Sequence, residues 1–405
     1  MERRRAAAAG ASSPVRSRFV AAALVIAFGS SRALAEDAKA TDAQILGPDD
    51  AALRIESMTT RITGYNQYGF GYQSKAGPIL GPGSERLSVF EPQVEVVATQ
   101  GDRITHRVWV PIDVVTAASP HSFEPTPDVV SGASRKLEGG TFQWSTTYKA
   151  DRASQVALTS GLHIENPFRS WNAGLSGSRA LADQNTVVSG SVVGILDWFD
   201  RFFITGVRNG RAERSTTMAS VGVTQVLTPT TIVHVNYGLT LQEGELGNTW
   251  NVVPLANGER GAELLPSSRT RHALVGRMSQ FLPWNGALRL YYRFYTDDWG
   301  IEAHSVEGQI MQRLTPALYL GALYRFHTQT GPFFFYTLAP VDAPLRVADS
   351  DLAPLQSHTL GGKLVGDVPV RGLARLLHFE VEYDRYFRSN DLQMDVVSCA
   401  LGLRF

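Results

Sequence analysis

The stretch Ala287–Tyr295, ALRLYYRFY, alternates without a break: Leu288, Leu290, Tyr292 and Phe294 share one parity, and Arg289, Tyr291, Arg293 and Tyr295 the other. Successive side chains on a strand point to opposite faces, so this is a strand with one oily and one charged face. The pattern recurs. In LLHFEVEYDRYF, Leu377, Phe379, Val381 and Tyr383 oppose His378, Glu380, Glu382 and Asp384, and in IVHVNYGLTL, Val233, Val235, Tyr237 and Leu239 oppose His234, Asn236, Gly238 and Thr240. Runs of about ten residues with this alternation suit strands that cross a bilayer at a tilt.

Sixteen such runs are expected, from 60–72 through 393–405. The even number is what a single-chain barrel needs if both ends lie on one side. The connections agree: tight turns at 100–102, 149–152, 183–185, 228–230, 283–286 and 315–317 fall at every second junction. Long connections at 116–140, 197–214, 242–270 and 330–357 lie between them, and only 367–375 is longer than a minimal turn. Short turns on one side and long loops on the other are the habit of outer-membrane barrels. The expected fold is therefore all-β, a transmembrane antiparallel up-and-down β-barrel of about 16 strands. Aromatic girdles are expected from Phe281 and Trp284 at the turn side and from Trp198, Phe199, Trp299 and the 332–336 run at the loop side.

Residues 1–35 read differently. Arg3, Arg4, Arg5, Arg16 and Arg18 precede an apolar stretch from Phe19 to Gly29, followed by an Ala33-x-Ala35 site. This is the pattern of a secretory signal peptide, expected to be removed before Glu36, with 36–59 as a short periplasmic extension and 60–405 as the barrel. Removal takes six basic residues and one acidic residue, leaving 32 basic and 37 acidic side chains. That balance gives no basic surface for nucleic acid. Cys399 is the one cysteine, so neither an internal disulfide nor a cysteine-built metal centre is expected.

Catalytic motifs with G-x-S-x-G, H-E-x-x-H, phosphate-loop or EF-hand spacing do not occur. No cofactor and no metal site are expected, and His234, His327 and His378 fall on the polar faces of their strands. The inward charges are more informative. Arg107, Asp113, Arg289, Arg293 and Arg325 are expected to line the lumen, as are Lys363, Glu380, Glu382 and Asp384. Such charges must be paired or wet. Either they form a constriction that filters solutes by charge and size, or they form a salt-bridged network that stiffens the interior. A local repeat, DVVTAAS at 113–119 and DVVSGAS at 128–134, flanks a Pro-rich loop and reads best as Asp and Ser at turn bases, with a carboxylate cation site as the weaker alternative.

The segments SVFEPQVEVVATQGDRITHRVWVPIDVVTAAS, DVVSGASR, YYRFYTDDWGIEAHSVEG and YRFHTQTGPFFFY resemble an uncharacterised family of bacterial outer-membrane proteins, domain of unknown function 3570, over roughly residues 61 to 405. The resemblance implies a Gram-negative outer-membrane barrel and carries no catalytic or binding residue with it. The leading expectation is a porin-like passive channel for small polar solutes and not an enzyme. A closed structural or docking barrel is second, and an embedded hydrolase is third. The expected partners are outer-membrane lipid, the barrel-assembly machinery and periplasmic chaperones. Leu401, Leu403 and Phe405 alternate outward at the end of the last strand, and the resemblance implies that such an aromatic end is read as a membrane-assembly signal.

Overall fold

The structure is a computed structural model, and it describes residues 52–69, 87–117, 137–203, 207–247 and 251–405, with the side chains of 113–117 and 137–138 outside the description. The expected signal peptide, most of the expected 36–59 extension and the loop holding the second DVVSGAS copy lie outside the described residues.

Eighteen strands follow in order: β1 (Leu53–Tyr68), β2 (Leu87–Gln100), β3 (Ile104–Ala117), β4 (Leu137–Lys149), β5 (Ser154–Glu165), β6 (Phe168–Leu181), β7 (Thr186–Phe202), β8 (Arg208–Thr228) and β9 (Thr231–Gly244). The second half holds β10 (Val252–Pro254), β11 (Arg260–Ala262), β12 (Ser268–Leu282), β13 (Gly286–Asp297), β14 (Glu302–Thr315), β15 (Leu318–Gln329), β16 (Leu355–Pro369), β17 (Leu376–Arg388) and β18 (Gln393–Arg404). Sixteen of them, all but the small β10–β11 hairpin, close into one antiparallel barrel in which each strand pairs with its neighbours in the chain. Closure is made by β1 on β18, with Thr60 opposite Leu401 and Ile62 opposite Cys399. A closed ladder leaves no strand edge unpaired, which hydrocarbon demands because it offers no hydrogen bonds to replace water's. Among the described residues no helix is long and apolar enough to cross a membrane.

The exterior is the oily face. Phe90, Phe142, Leu175, Val221, Leu290, Val306, Leu320, Leu360, Val381 and Leu401 all present 43% or more of their surface. In water such a continuous apolar surface would drive association, whereas in lipid it is the solvated state. Barrel closure and this apolar exterior together make the fold a transmembrane β-barrel of sixteen strands.

The strands run longer than the alternation showed. β7 and β8 extend to Phe202 and back from Arg208, so the expected 197–214 loop is mostly paired strand. Its outer part carries polar residues on both faces, held across the hairpin by Arg208 Nη2 to Asp200 Oδ1 at 2.5 Å, so the alternation ends before the ladder does. β1 begins at Leu53, seven residues ahead of the expected start at 60, and so takes in part of the expected extension. β16 reaches Pro369, which takes the first three residues of the one oversized turn and leaves 370–375 as the link before β17. Asn285 makes its tight turn at φ 62°, a region asparagine tolerates.

The candidate functional site is the lumen and its capped mouth

Two long connections at one end of the barrel fold onto each other. The segment between β9 and β12 carries the β10–β11 hairpin, and the segment between β15 and β16 pairs with it: Ala256 N donates to Ala339 O at 2.9 Å, and Ala339 N to Pro254 O at 2.8 Å. Leu264 and Arg346 exchange backbone bonds of 3.0 and 2.8 Å. Between them sits a small apolar core of Val253, Leu255, Ala339, Ala348 and Ala353, with a second of Trp299, Phe334 and Val347. Trp299 and Phe334 were expected in an outer aromatic girdle. They are instead 3% and 2% exposed and meet edge to face with centroids 5.2 Å apart. Phe199 departs from the girdle in the same way, turned inward and buried beside the Arg214 guanidinium at 5.8 Å. Trp198, Trp284 and Phe281 are exposed.

This cap leans over the lumen because inward groups on the wall hold it there. Arg388, at the cap end of β17, donates from Nη1 to Asp351 Oδ1 at 2.6 Å and from Nη2 to Ser350 Oγ at 3.2 Å. Gln329 Nε2 donates to the carbonyls of Asp351 and Ala353 at 2.8 and 2.9 Å. Beneath the cap lies a cavity of about 180 Å³, lined from the wall by Arg214, Arg269, Arg271 and Trp299 and from the cap by Glu263, Asp349 and Asp351. Asp349 is shut away from water beside Asp351, and burial first, then that second carboxylate, pushes its pKa up to about 6.

Arg269 and Asp297 form a fully enclosed pair at the mouth. Arg269 Nε donates to Asp297 Oδ2 at 2.9 Å, the Tyr295 hydroxyl donates to the same oxygen at 2.6 Å, and the backbone N–H groups of Trp299 and Ile301 donate to Oδ1 at 3.0 Å each. Each carboxylate lone pair in use has a donor, which is the condition for a charge to survive burial. Arg214 is tied to Asp197 by a 2.7 Å bond from Nε. Arg271 differs: its Nε is buried with no hydrogen-bond partner, and it makes no ion pair among the described residues.

Along the wall below, each expected lumen residue whose side chain is described sits on the face opposite the oily exterior. The backbone of Asp113 lies in β3, but its side chain is outside the description. Arg107 pairs with Glu95, with Nε to Oε2 at 2.9 Å. Arg325 pairs with Glu307, with Nε to Oε2 at 2.7 Å. Lys363 bridges Glu382 at 3.0 Å and Glu380 at 3.3 Å, and Arg61 reaches Glu380 from β1 at 2.9 Å. Alternation on one strand could not show this last contact, because it needs the barrel to close. Asp384 leans over Gly361 so closely that a Cβ there would meet its Oδ1 at 2.1 Å.

Arg289 and Arg293 on β13 have no carboxylate partner among the described residues. Arg289 donates from Nη1 to Gln309 Oε1 at 3.3 Å, and the Arg293 guanidinium lies 5.2 Å from the Tyr295 ring. On β12, Arg277 lies 5.3 Å from the Tyr291 ring. The register sets Val275 opposite Arg293 and Ser279 opposite Arg289, so Arg271, Arg277, Arg289 and Arg293 descend one wall as a ladder with tyrosines interleaved. Ion-paired cations lie on β14 to β1, while Arg271, Arg289 and Arg293 on β12 and β13 make no ion pair among the described residues. Each histidine of the polar faces has its Nδ1 beside a neighbour, with His234 2.8 Å from Thr224, His327 2.8 Å from Ser305 and His378 2.8 Å from Asp367. Among the described residues no cluster of three or more metal-binding side chains occurs.

The chain was compared with known proteins. No curated protein matches it. Among solved structures, OpdK of Pseudomonas aeruginosa with vanillate matches at 10% identity and TM-score 0.39, over 86% of this chain and 98% of that one. A BenF-like porin from Pseudomonas fluorescens Pf-5 matches at 10% identity and TM-score 0.44, over 87% and 99%. The siderophore receptor PirA from Acinetobacter baumannii matches at 9% identity and TM-score 0.43, over 82% of this chain and 53% of that one. The resemblance first read from residues 61 to 405 is found by a family model over part of that range: residues 197–391 match the family described as Protein of unknown function (DUF3570), and they hold most of the cap and the arginine ladder.

Proposed function

We propose that this protein is a porin-like passive channel of the Gram-negative outer membrane, reached after removal of residues 1–35, which favours small anionic solutes. One observation carries the reading: Arg271, Arg289 and Arg293 face the lumen without carboxylate partners among the described residues, while Lys363 on β16 and Arg325 on β15 are neutralised by Glu380, Glu382 and Glu307. A cation held in a lumen without an acid beside it must be wet, and it lowers the energy of a passing anion. The wall side chains are also open enough for water, since Arg325 keeps 49% of its side-chain surface exposed. Closely spaced cationic stations of this kind let an anion move by exchange from one to the next, with no single site deep enough to trap it.

Planar bilayers test this reading. Stepwise conductance is expected, with a reversal potential in a salt gradient that reports preference for the anion; a folded barrel that stays silent would overturn it. A second reading, a closed barrel that docks envelope components through its loops, draws on the packed core of the cap. It requires that silence, together with a partner captured reproducibly by crosslinking.

A further inference from the structure

Polar side chains on the outer face of a membrane barrel have no water to satisfy them within the hydrocarbon, so their positions are informative. Three outward histidines carry the same arrangement. The Tyr237 hydroxyl lies 2.7 Å from His272 Nδ1, the Tyr292 hydroxyl 2.8 Å from His304 Nδ1 and the Tyr324 hydroxyl 2.9 Å from His358 Nδ1. A fourth pair keeps the geometry and changes the acceptor: the Tyr383 hydroxyl donates to Asp395 Oδ1 at 2.7 Å, with Arg385 Nη1 donating to Oδ2 at 2.6 Å. Each pair links the two strands flanking one cap-side connection.

The four pairs lie at one height. A path through ladder partners that leaves β1 at Tyr68, its cap end, crosses Gln393, His358, Val306, Gly276 and Val223 and reaches β5 at Ser154, its turn end. The hydrogen-bond direction thus descends by about one residue per strand, as closure with tilted strands requires. A level line must climb two residues for every two strands. The series does so: Asp395 leads through Arg385 to Leu360, two residues below His358. His358 leads through Phe326 to Val306, two below His304. His304 leads through Phe294 to Leu274, two below His272.

That height is the boundary of the oily band. On the turn side of the four groups stand Leu274, Val306, Leu360 and Val397, exposed by 46, 51, 52 and 45%. On the cap side stand Thr270, Glu302, Gln356 and Gln393. Where the phenol O–H is the donor to Nδ1, the imidazole carries its proton on Nε2, which is then a donor at the headgroup level. Continued past β9, the same level meets Thr217 and Trp171, with no histidine–tyrosine pair.

We propose that the β12–β18 wall is a binding face for phosphate-bearing anionic lipid in the leaflet at the cap end, with His272, His304 and His358 donating from Nε2 to headgroup phosphate. The tyrosines act as positioning residues that fix the imidazole tautomer. The phosphodiester of phosphatidylcholine has the same acceptor oxygens, but its own quaternary ammonium neutralises them, whereas phosphatidylglycerol leaves the full anionic charge to the N–H row.

Native mass spectrometry of the full chain, loaded with phosphatidylglycerol and phosphatidylcholine in equal amounts, tests it. Wild type should retain phosphatidylglycerol in excess, and H272F/H304F/H358F should lower that excess at least about threefold, a change of roughly 0.7 kcal/mol at RT of about 0.59 kcal/mol. H304F alone should give a fraction of the effect, so the outcome does not depend on the triple variant folding. Y237F/Y292F/Y324F should fall between, because the imidazoles remain while their tautomer is released. Trp171→Phe, on the far wall at the same height, should match wild type. Equal retention of both lipids by wild type, or unchanged retention in the folded histidine variants, would overturn the proposal. Bilayer conductance is a separate reading and does not depend on this result.

Discussion

The β12–β13 wall and the β14–β1 wall use the same residue types to opposite ends. On β14–β1 three lumen cations meet acids: Arg325 with Glu307, Lys363 with Glu380 and Glu382, Arg61 with Glu380. On β12–β13, below the enclosed Arg269–Asp297 pair at the mouth, the partners are an amide and an aromatic ring, Gln309 for Arg289 and Tyr295 for Arg293. An acid beside a cation cancels its field across the lumen, whereas a ring or an amide orients the guanidinium and leaves its charge in place. The difference teaches that net charge says little about a lumen, and the arrangement of partners says more.

Breaking the most enclosed pair should have the largest effect. Arg269→Ala strips Asp297 of its cation in a site where the carboxylate side chain is 0% exposed, and about 3–5 kcal/mol of stability should be lost. The check is urea unfolding of the folded barrel in detergent. Arg289→Gln, which orphans no charge, should change stability by no more than about 0.5 kcal/mol, and an equal loss in both would erase the contrast between enclosed and ladder arginines.

The ladder should instead govern selectivity. Replacing Arg271, Arg289 and Arg293 together by Gln should cut the anion-to-cation permeability ratio about tenfold, equivalent to about 1.4 kcal/mol, as read from reversal potentials. Lys363→Met should cost about 1 kcal/mol of stability, because Glu380 and Glu382 then share the wall with Arg61 as the remaining cation, and it should move selectivity toward cations. A Lys363→Met channel that becomes more anion-selective would reverse the assignment of the two walls.

The smallest effect should be local to the cap. Asp349 has its pKa raised to about 6, above its ordinary value of 3.8, so the folded cap holds that proton more tightly than the open chain does. The cap should therefore be most stable, with respect to this group, below about pH 4, lose stability as pH rises to about 6, and change little above. Hydrogen exchange of the 330–354 segment across that range should show the trend, and Asp349→Asn should flatten it.

Much of the barrel could be read from residues alone. Where one face meets lipid and the other meets the lumen, as in Leu288–Tyr295, alternation reports the strand and its orientation directly. It failed where both faces leave the bilayer: the polar outer halves of β7 and β8 looked like loop, and the ladder that holds them is backbone, which side-chain pattern does not report. The outward histidines were passed over for a related reason. His272, His304 and His358 sit on the oily parity of their strands, yet each gains its meaning from a tyrosine on the neighbouring strand. The signal was there as histidine on an apolar face just before a polar cap-side residue, but it is weak on any one strand.

The amino-acid order by itself determined which face of each barrel strand is oily, how many strands the barrel has and which connections are short. Those follow from a two-residue period and from turn chemistry, both local. Only the tertiary structure decided which charges cancel, that Arg61 reaches Glu380 across the closing seam, that Trp299 and Phe334 pack inside a cap, and that four outward pairs share one height. These depend on register, shear and loop packing, which bring together residues as far apart in the chain as Thr63 and Ser398, 335 positions.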